Sequence, residues 1–242
     1  MLLKQMLRVS STNYLFWGQA IVLLILLLLG YLSPETVVFG YFFETIIIGS
    51  IHALKLFLVI KHGKPDAPGS NSMRGYGMIV FFLFHYGMFV AIQMVFVFTF
   101  FDGTIAGIKG GFDILHNIKV LLYSEGMAIM LGSLLLTNLG YFYNNFWTTY
   151  KYREYAPGDI FFSPYVRIFI QQFVVIFTGF FFVFFNAGVV AALLLIIIRL
   201  GVDLLIVSIK KDSNFLKLLS EKLARPDQSP EEIKRQLEKL SE

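Results

Sequence analysis

Ile21-Val22-Leu23-Leu24-Ile25-Leu26-Leu27-Leu28-Leu29 is nine aliphatic residues without a break, inside an apolar stretch running from about Tyr14 to Leu32. A strand of an open sheet or a small barrel alternates apolar and polar residues, so this run contradicts a barrel. Its length matches what an α-helix needs to cross hydrocarbon. Five further stretches of the same kind follow: about Thr36 to Ile60, Gly75 to Phe101, Gly126 to Trp147, Pro164 to Phe185 and Ala187 to Ile209. The sequence predicts an all-α polytopic membrane protein, a bundle of six transmembrane helices. Residues 1–13 form a cytoplasmic or interfacial lead-in, 14–210 the helical domain and 211–242 a helical tail.

The whole-chain totals agree. Of 242 residues, 57% are hydrophobic and 15% charged, with a mean hydropathy of +0.70, against about 45–50% and 25% in an ordinary soluble domain. A soluble enzyme and a disordered chain are excluded on that ground. With no cysteine, disulfide frameworks and thiolate sites are excluded too. The formal charge of +4 is no nucleic-acid signature, because the cations sit at segment ends rather than along one soluble face.

Those cations set the orientation. Lys4 and Arg8 precede the first span, and the connection Ser33-Pro34-Glu35 carries none. Lys61, Lys64 and Arg74 follow the second span. Residues 102–125 hold Lys109 and Lys119 against Asp102, Asp113 and Glu125. Lys151 and Arg153 come next, the turn at Asn186 has none, and Lys210 and Lys211 open the tail. This alternation has the parity six spans require and places both termini in the cytoplasm of a cell inner or plasma membrane. The basic start lacks a small-x-small cleavage site after the apolar run, so the first span reads as uncleaved.

Two non-spanning pieces have helical character. Ile114, Val120, Leu121 and Leu122 suggest a short interfacial helix around Phe112 to Tyr123. In the tail, Phe215, Leu216, Leu218 and Leu219 form a stripe. Ser229-Pro230-Glu231-Glu232 is a capped helix start, and Ile233, Leu237 and Leu240 recur behind it. The tail is either a solvated helix pair or a surface for a protein partner. The bilayer itself is the other partner, and no nucleic acid is expected.

Ionisable groups inside spans are costly unless paired or wetted, so each needs a reason. Glu44 and His52 lie on the second span, His85 on the third, Asn138 on the fourth, Arg167, Gln171 and Gln172 on the fifth, and Arg199 and Asp203 on the sixth. Counting residues from the cytoplasmic ends puts His52, His85, Asn138, Gln171 and Arg199 at roughly 10–15 Å depth, and Glu44 higher, near about 24 Å. These nine residues form a predicted polar cluster in the cytoplasmic half. Arg199 and Asp203, four apart, can neutralise each other on one helix. Lys55 and Arg167 can snorkel to the interface. Glu44, His52 and His85 carry the ligand types of a metal or proton site, without any short ligand motif. No nucleophile elbow, phosphate loop or dinucleotide glycine pattern occurs, so no catalytic residue and no cofactor is assigned.

Tyr41-Phe42-Phe43-Glu44-Thr45-Ile46-Ile47-Ile48-Gly49 and Phe81-Phe82-Leu83-Phe84-His85-Tyr86-Gly87-Met88-Phe89 resemble two signatures, E-N-x-x-I-G and F-F-x-x-H-Y-G, of a bacterial multi-pass membrane family catalogued as a domain of unknown function. Pro164-Tyr165-Val166-Arg167 is similar to its P-x-x-R, and Arg199 to Asp203 resembles its last span. Thr45 stands where that family often has Asn, and Gln172 where it often has His, which weakens a metal site. The resemblance covers about residues 20–210 and implies a compact helical membrane domain without an assigned activity. Three functions stay open: a non-enzymatic membrane scaffold or partner module, a small transporter or channel using the polar cluster, and an intramembrane enzyme with a Glu/His site.

Overall fold

The computed structural model describes residues 6–66, 75–165, 168–170, 173, 176, 180, 188–209, 214–223 and 229–240. Among them every regular element is helical. The elements are α1 (Tyr14–Leu28), α2 (Pro34–His62), α3 (Gly77–Phe101), α4 (Ile114–Leu122), α5 (Met127–Phe142), α6 (Pro157–Ile160), α7 (Gly188–Ser208), α8 (Asn214–Leu223) and α9 (Pro230–Leu240). A π-helical turn, Tyr143–Trp147, extends α5, and a 3-10 turn covers Lys151–Arg153.

Three of these, α2, α3 and α7, are long and apolar enough to cross a membrane. The pair α4 and α5 with its π turn passes only when taken together, and it bends by 93°. The apolar helix α1 has 15 residues, about 22 Å of rise. It is shorter than the stretch to Leu32 suggested because the chain turns out of it. Gly30 takes φ 79°, its N–H donates to Leu27 O at 3.1 Å, and Tyr31 N–H reaches back to Leu26 O at 2.9 Å. That is the glycine-terminated helix end that satisfies the last free carbonyls. Of the predicted fifth span, 164–185, most positions lie outside the described residues.

The next helix restarts at once. Ser33 Oγ accepts from Thr36 N–H at 3.1 Å, with Pro34 in the first turn and Glu35 beside the helix's positive end. Helix α2 then runs 29 residues through the middle of the molecule, packed by α3, α5 and α7 and, near its end, by the 3-10 turn and α6. Seventeen of its residues are buried, which is why it lacks a polar face. Phe39, Phe42, Leu56, Phe82, Phe98 and Met130 are among the fully buried side chains around it. Outward positions are apolar too: on α3, Phe84 is 74% and Phe96 69% exposed. Large apolar side chains displayed on a long helix are what lipid, rather than water, accommodates.

The start of α2 is pinned to the start of α5. Thr36 Oγ1 donates to Glu125 O at 2.9 Å. The adjoining Gly126 has φ 78° and lies where a Cβ would come within 2.6 Å of Tyr31 O. A residue with a side chain fits neither that backbone angle nor that approach. The two helices therefore begin at the same end of the bundle in matched register. At the far end, α8 and α9 pack on each other and α9 touches α6.

Candidate functional site: a buried charged cluster joining three helices

The register of α2 and α5 decides which polar groups meet. Glu44 stands ten residues past Pro34 and Asn138 eleven past Met127, about 15–17 Å from their shared end. Asn138 Nδ2 donates to Glu44 Oε1 at 2.7 Å, and also to Leu134 O at 2.9 Å. From α7, Arg199 donates to Glu44 Oε2 through Nε at 3.0 Å and Nη2 at 2.9 Å. Arg199 Nη1 donates to Asp203 Oδ1 at 2.8 Å. One guanidinium thus holds two carboxylates, one on its own helix and one on α2. All four side chains are buried, with Arg199 only 2% and Glu44 1% exposed. Charge-assisted bonds of this kind are about twice as strong as neutral ones, and burial removes the water that would compete for them.

This corrects the depth count. Glu44 shares one level with Arg199 and Asn138, and it is His52, eight residues further along the same helix, that lies apart by about 12 Å. The residue count separates Glu44 from Asn138 because the two helices end at different levels, whereas α2 runs 29 residues, about 43 Å, from the end it shares with α5. The self-neutralising pair Arg199–Asp203 forms as predicted from its spacing, but it is half of the arrangement. The bridge to Glu44, 155 residues away in sequence, was not read from the sequence.

The two histidines go elsewhere. His52 is buried against the Phe82 ring, centroids 5.0 Å apart, and its Nε2 has no hydrogen-bond partner among the described residues. His85 is half-buried, pairs through Nδ1 with the Tyr165 hydroxyl at 2.9 Å, and stacks on Phe81 at 5.4 Å. No three His, Asp or Glu side chains gather as a metal-holding group among the described residues, so Glu44, His52 and His85 do not form one. Each is turned to a different neighbour: Glu44 to Arg199, His52 to Phe82 and His85 to Tyr165. Arg167, Gln171 and Gln172 lie outside the described residues. Lys55, predicted to snorkel, is buried with Nζ 4.9 Å from the Phe146 ring centre, a cation–π contact in place of solvent.

A further tie was missed because its partner is a backbone atom. Tyr86 Oη donates to Thr45 O at 2.7 Å, which fastens α3 to α2 one residue from Glu44. Thr45 Oγ1 donates to Phe42 O at 2.6 Å within α2, an ordinary way to bury a threonine hydroxyl in a helix. The arrangement can hold α2, α3, α5 and α7 in one register.

No curated protein and no solved structure matches the chain. A family model does, over residues 2–220, described as "Family of unknown function (DUF6498)". With nearly its whole length inside that match, the chain belongs to this family of unknown function.

Proposed function

We propose that the chain is a multi-pass protein of a cell inner or plasma membrane, with six spans and both ends in the cytoplasm. In this reading it serves as a non-enzymatic scaffold or partner module, and its charged cluster fixes how the helices pack. The observation that carries this reading is the mutual pairing of Glu44, Arg199, Asp203 and Asn138 in a buried position. A transport site must trade its internal bonds for bonds to a passing solute, and a catalytic carboxylate must reach a substrate. Here the guanidinium is engaged on both sides, and Glu44 is engaged through both oxygens. The alternation of cations between connections supports the six-span parity.

The tail supports a partner role. Helices α8 and α9 bury Phe215, Leu216 and Ile233 and turn Lys217, Glu221, Lys222, Glu231 and Glu232 outward, a charged surface held at the cytoplasmic end. Chemical cross-linking in native membranes should recover one specific partner from the full chain and not from a chain ending at Asp212. Reconstituted liposomes should show no solute flux that depends on Glu44. Flux abolished by Glu44→Gln in a protein that stays folded would replace this reading with a transporter.

A further inference from the structure

The end of α2 opposite Thr36 is wrapped by the chain leaving α5, through two departures from regular backbone and one close approach. Tyr143–Trp147 is a π-helical turn. Tyr150 has φ 53°, the sole positive φ at a non-glycine position among the described residues. Gly63 lies so close to the 3-10 segment that a Cβ there would sit 2.8 Å from Tyr152 O and 2.6 Å from Tyr155 O. Lys64 N–H donates to Tyr155 O at 2.9 Å and closes the contact. Irregular helical turns and left-handed non-glycine residues cost free energy and concentrate at binding sites.

Their effect is to bring Lys61, Lys64, Lys151 and Arg153, from two segments about ninety positions apart, to one rim. Aromatic rings lie against two of them. Arg153 lies 5.1 Å from the Tyr150 ring centre and 5.8 Å from that of Tyr152, and Lys61 Nζ lies 5.9 Å from Phe57. Trp147 and Tyr150 are exposed beside them. Lys61, Lys64 and Arg153 make no ion pair among the described residues. Of the nearby acids, Asp66 accepts from Gly158 N–H at 2.9 Å and Asp159 from Ala156 N–H at 3.1 Å, while Glu154 follows Arg153 directly in the chain.

We propose that this rim of cations and aromatic rings is a binding site for the headgroup phosphate of an anionic phospholipid. The proposal rests on the membrane-spanning reading above. Tyrosine and tryptophan rings favour the headgroup level, and Arg153 offers the planar fork that matches phosphate oxygens. Each cation near an anionic surface strengthens binding roughly five-fold, so three give on the order of a hundred-fold.

The test uses the full chain in neutral detergent. Phosphatidylglycerol or phosphatidylcholine is titrated in, and thermal unfolding is followed. Phosphatidylglycerol should raise Tm more than phosphatidylcholine does. The Lys61→Gln/Lys64→Gln/Arg153→Gln variant should need on the order of a hundred-fold more phosphatidylglycerol for the same excess. The Lys109→Gln/Lys119→Gln variant, altered at the opposite end, should behave as the parent. Equal stabilisation by both lipids, an undiminished excess in the triple variant, or the same shift from inorganic phosphate alone would each overturn the proposal. Alkaline carbonate extraction of the parent from membranes separates the two readings. Release of the chain would overturn the membrane reading itself, whereas retention with no lipid preference would overturn the lipid site alone.

Discussion

Replacing Glu44 by Gln keeps the side chain's shape and removes one acceptor, and the geometry leaves no good orientation for the new amide. With its oxygen toward Arg199, its NH2 group faces the Asn138 NH2 group across the former 2.7 Å bond. Asn138 cannot turn its own amide round without losing Leu134 O at 2.9 Å and setting two oxygens together. With the oxygen toward Asn138, the NH2 group faces the guanidinium. The change therefore loses a charge-assisted bond in either orientation, about 1.5–3 kcal/mol, softened because Arg199 keeps Asp203 at 2.8 Å. Arg199→Met strands two buried carboxylates and should cost about 3–5 kcal/mol. Asn138→Ala removes a donor to the Glu44 carboxylate, which keeps its two bonds from Arg199, and should cost about 1.5 kcal/mol. In the double variant Glu44→Gln/Arg199→Met, one stranded charge has been neutralised, so its cost should fall below the sum of the singles by about 1–3 kcal/mol. Reversible unfolding in mixed micelles measures all four. Additivity within about 0.5 kcal/mol, or Asn138→Ala matching Arg199→Met, would refute the reasoning.

Other outcomes follow from close packing. A Cβ on Gly49 would run into the ring of Tyr86, and on Gly40 into Cγ of the fully buried Met130. Gly49→Ala and Gly40→Ala should therefore each cost about 1–3 kcal/mol in the same unfolding assay, and only Gly49→Ala should also weaken the Tyr86–Thr45 bond. Asn117 is fully buried, accepts from Lys109 N–H at 2.8 Å and donates to Lys109 O at 2.9 Å. Asn117→Ala should cost about 1–3 kcal/mol and speed hydrogen exchange in the 107–111 segment, with α2 unaffected. Exchange unchanged there would show that the loop holds without the asparagine.

Much of the helical framework was legible, for a physical reason. Long apolar runs have one outcome in hydrocarbon, where the backbone must satisfy itself, but the stop at Gly30 and the capped start at Ser33-Pro34 were passed over, because a hydropathy run does not register them. The helix at Ile114–Leu122 was legible from its spacing, but its 93° bend from α5 depends on Gly126 pressing against Tyr31. The Arg199–Asp203 contact lies within one helix turn, so spacing sufficed. The bond from Arg199 to Glu44 depends on which helices are neighbours, which no local pattern encodes. The histidines show the same limit from the other side. His52 and His85 were placed at similar depth, and both do lie on one aromatic group, His52 on Phe82 and His85 on Tyr165 with those two rings 6.1 Å apart, but Glu44 is turned away from it to Arg199.

The most direct test of a packing role is to replace the charges by hydrocarbon. Removing all three together, as Glu44→Leu/Arg199→Met/Asp203→Leu, leaves no charge stranded. Such apolar replacements of a buried ionic triad are often neutral or stabilising. The account predicts that this variant inserts, resists carbonate extraction, unfolds within about 1 kcal/mol of the parent and still cross-links to the same partner. A variant that keeps its fold and stability but loses a partner-independent activity, such as solute flux in liposomes, would contradict it.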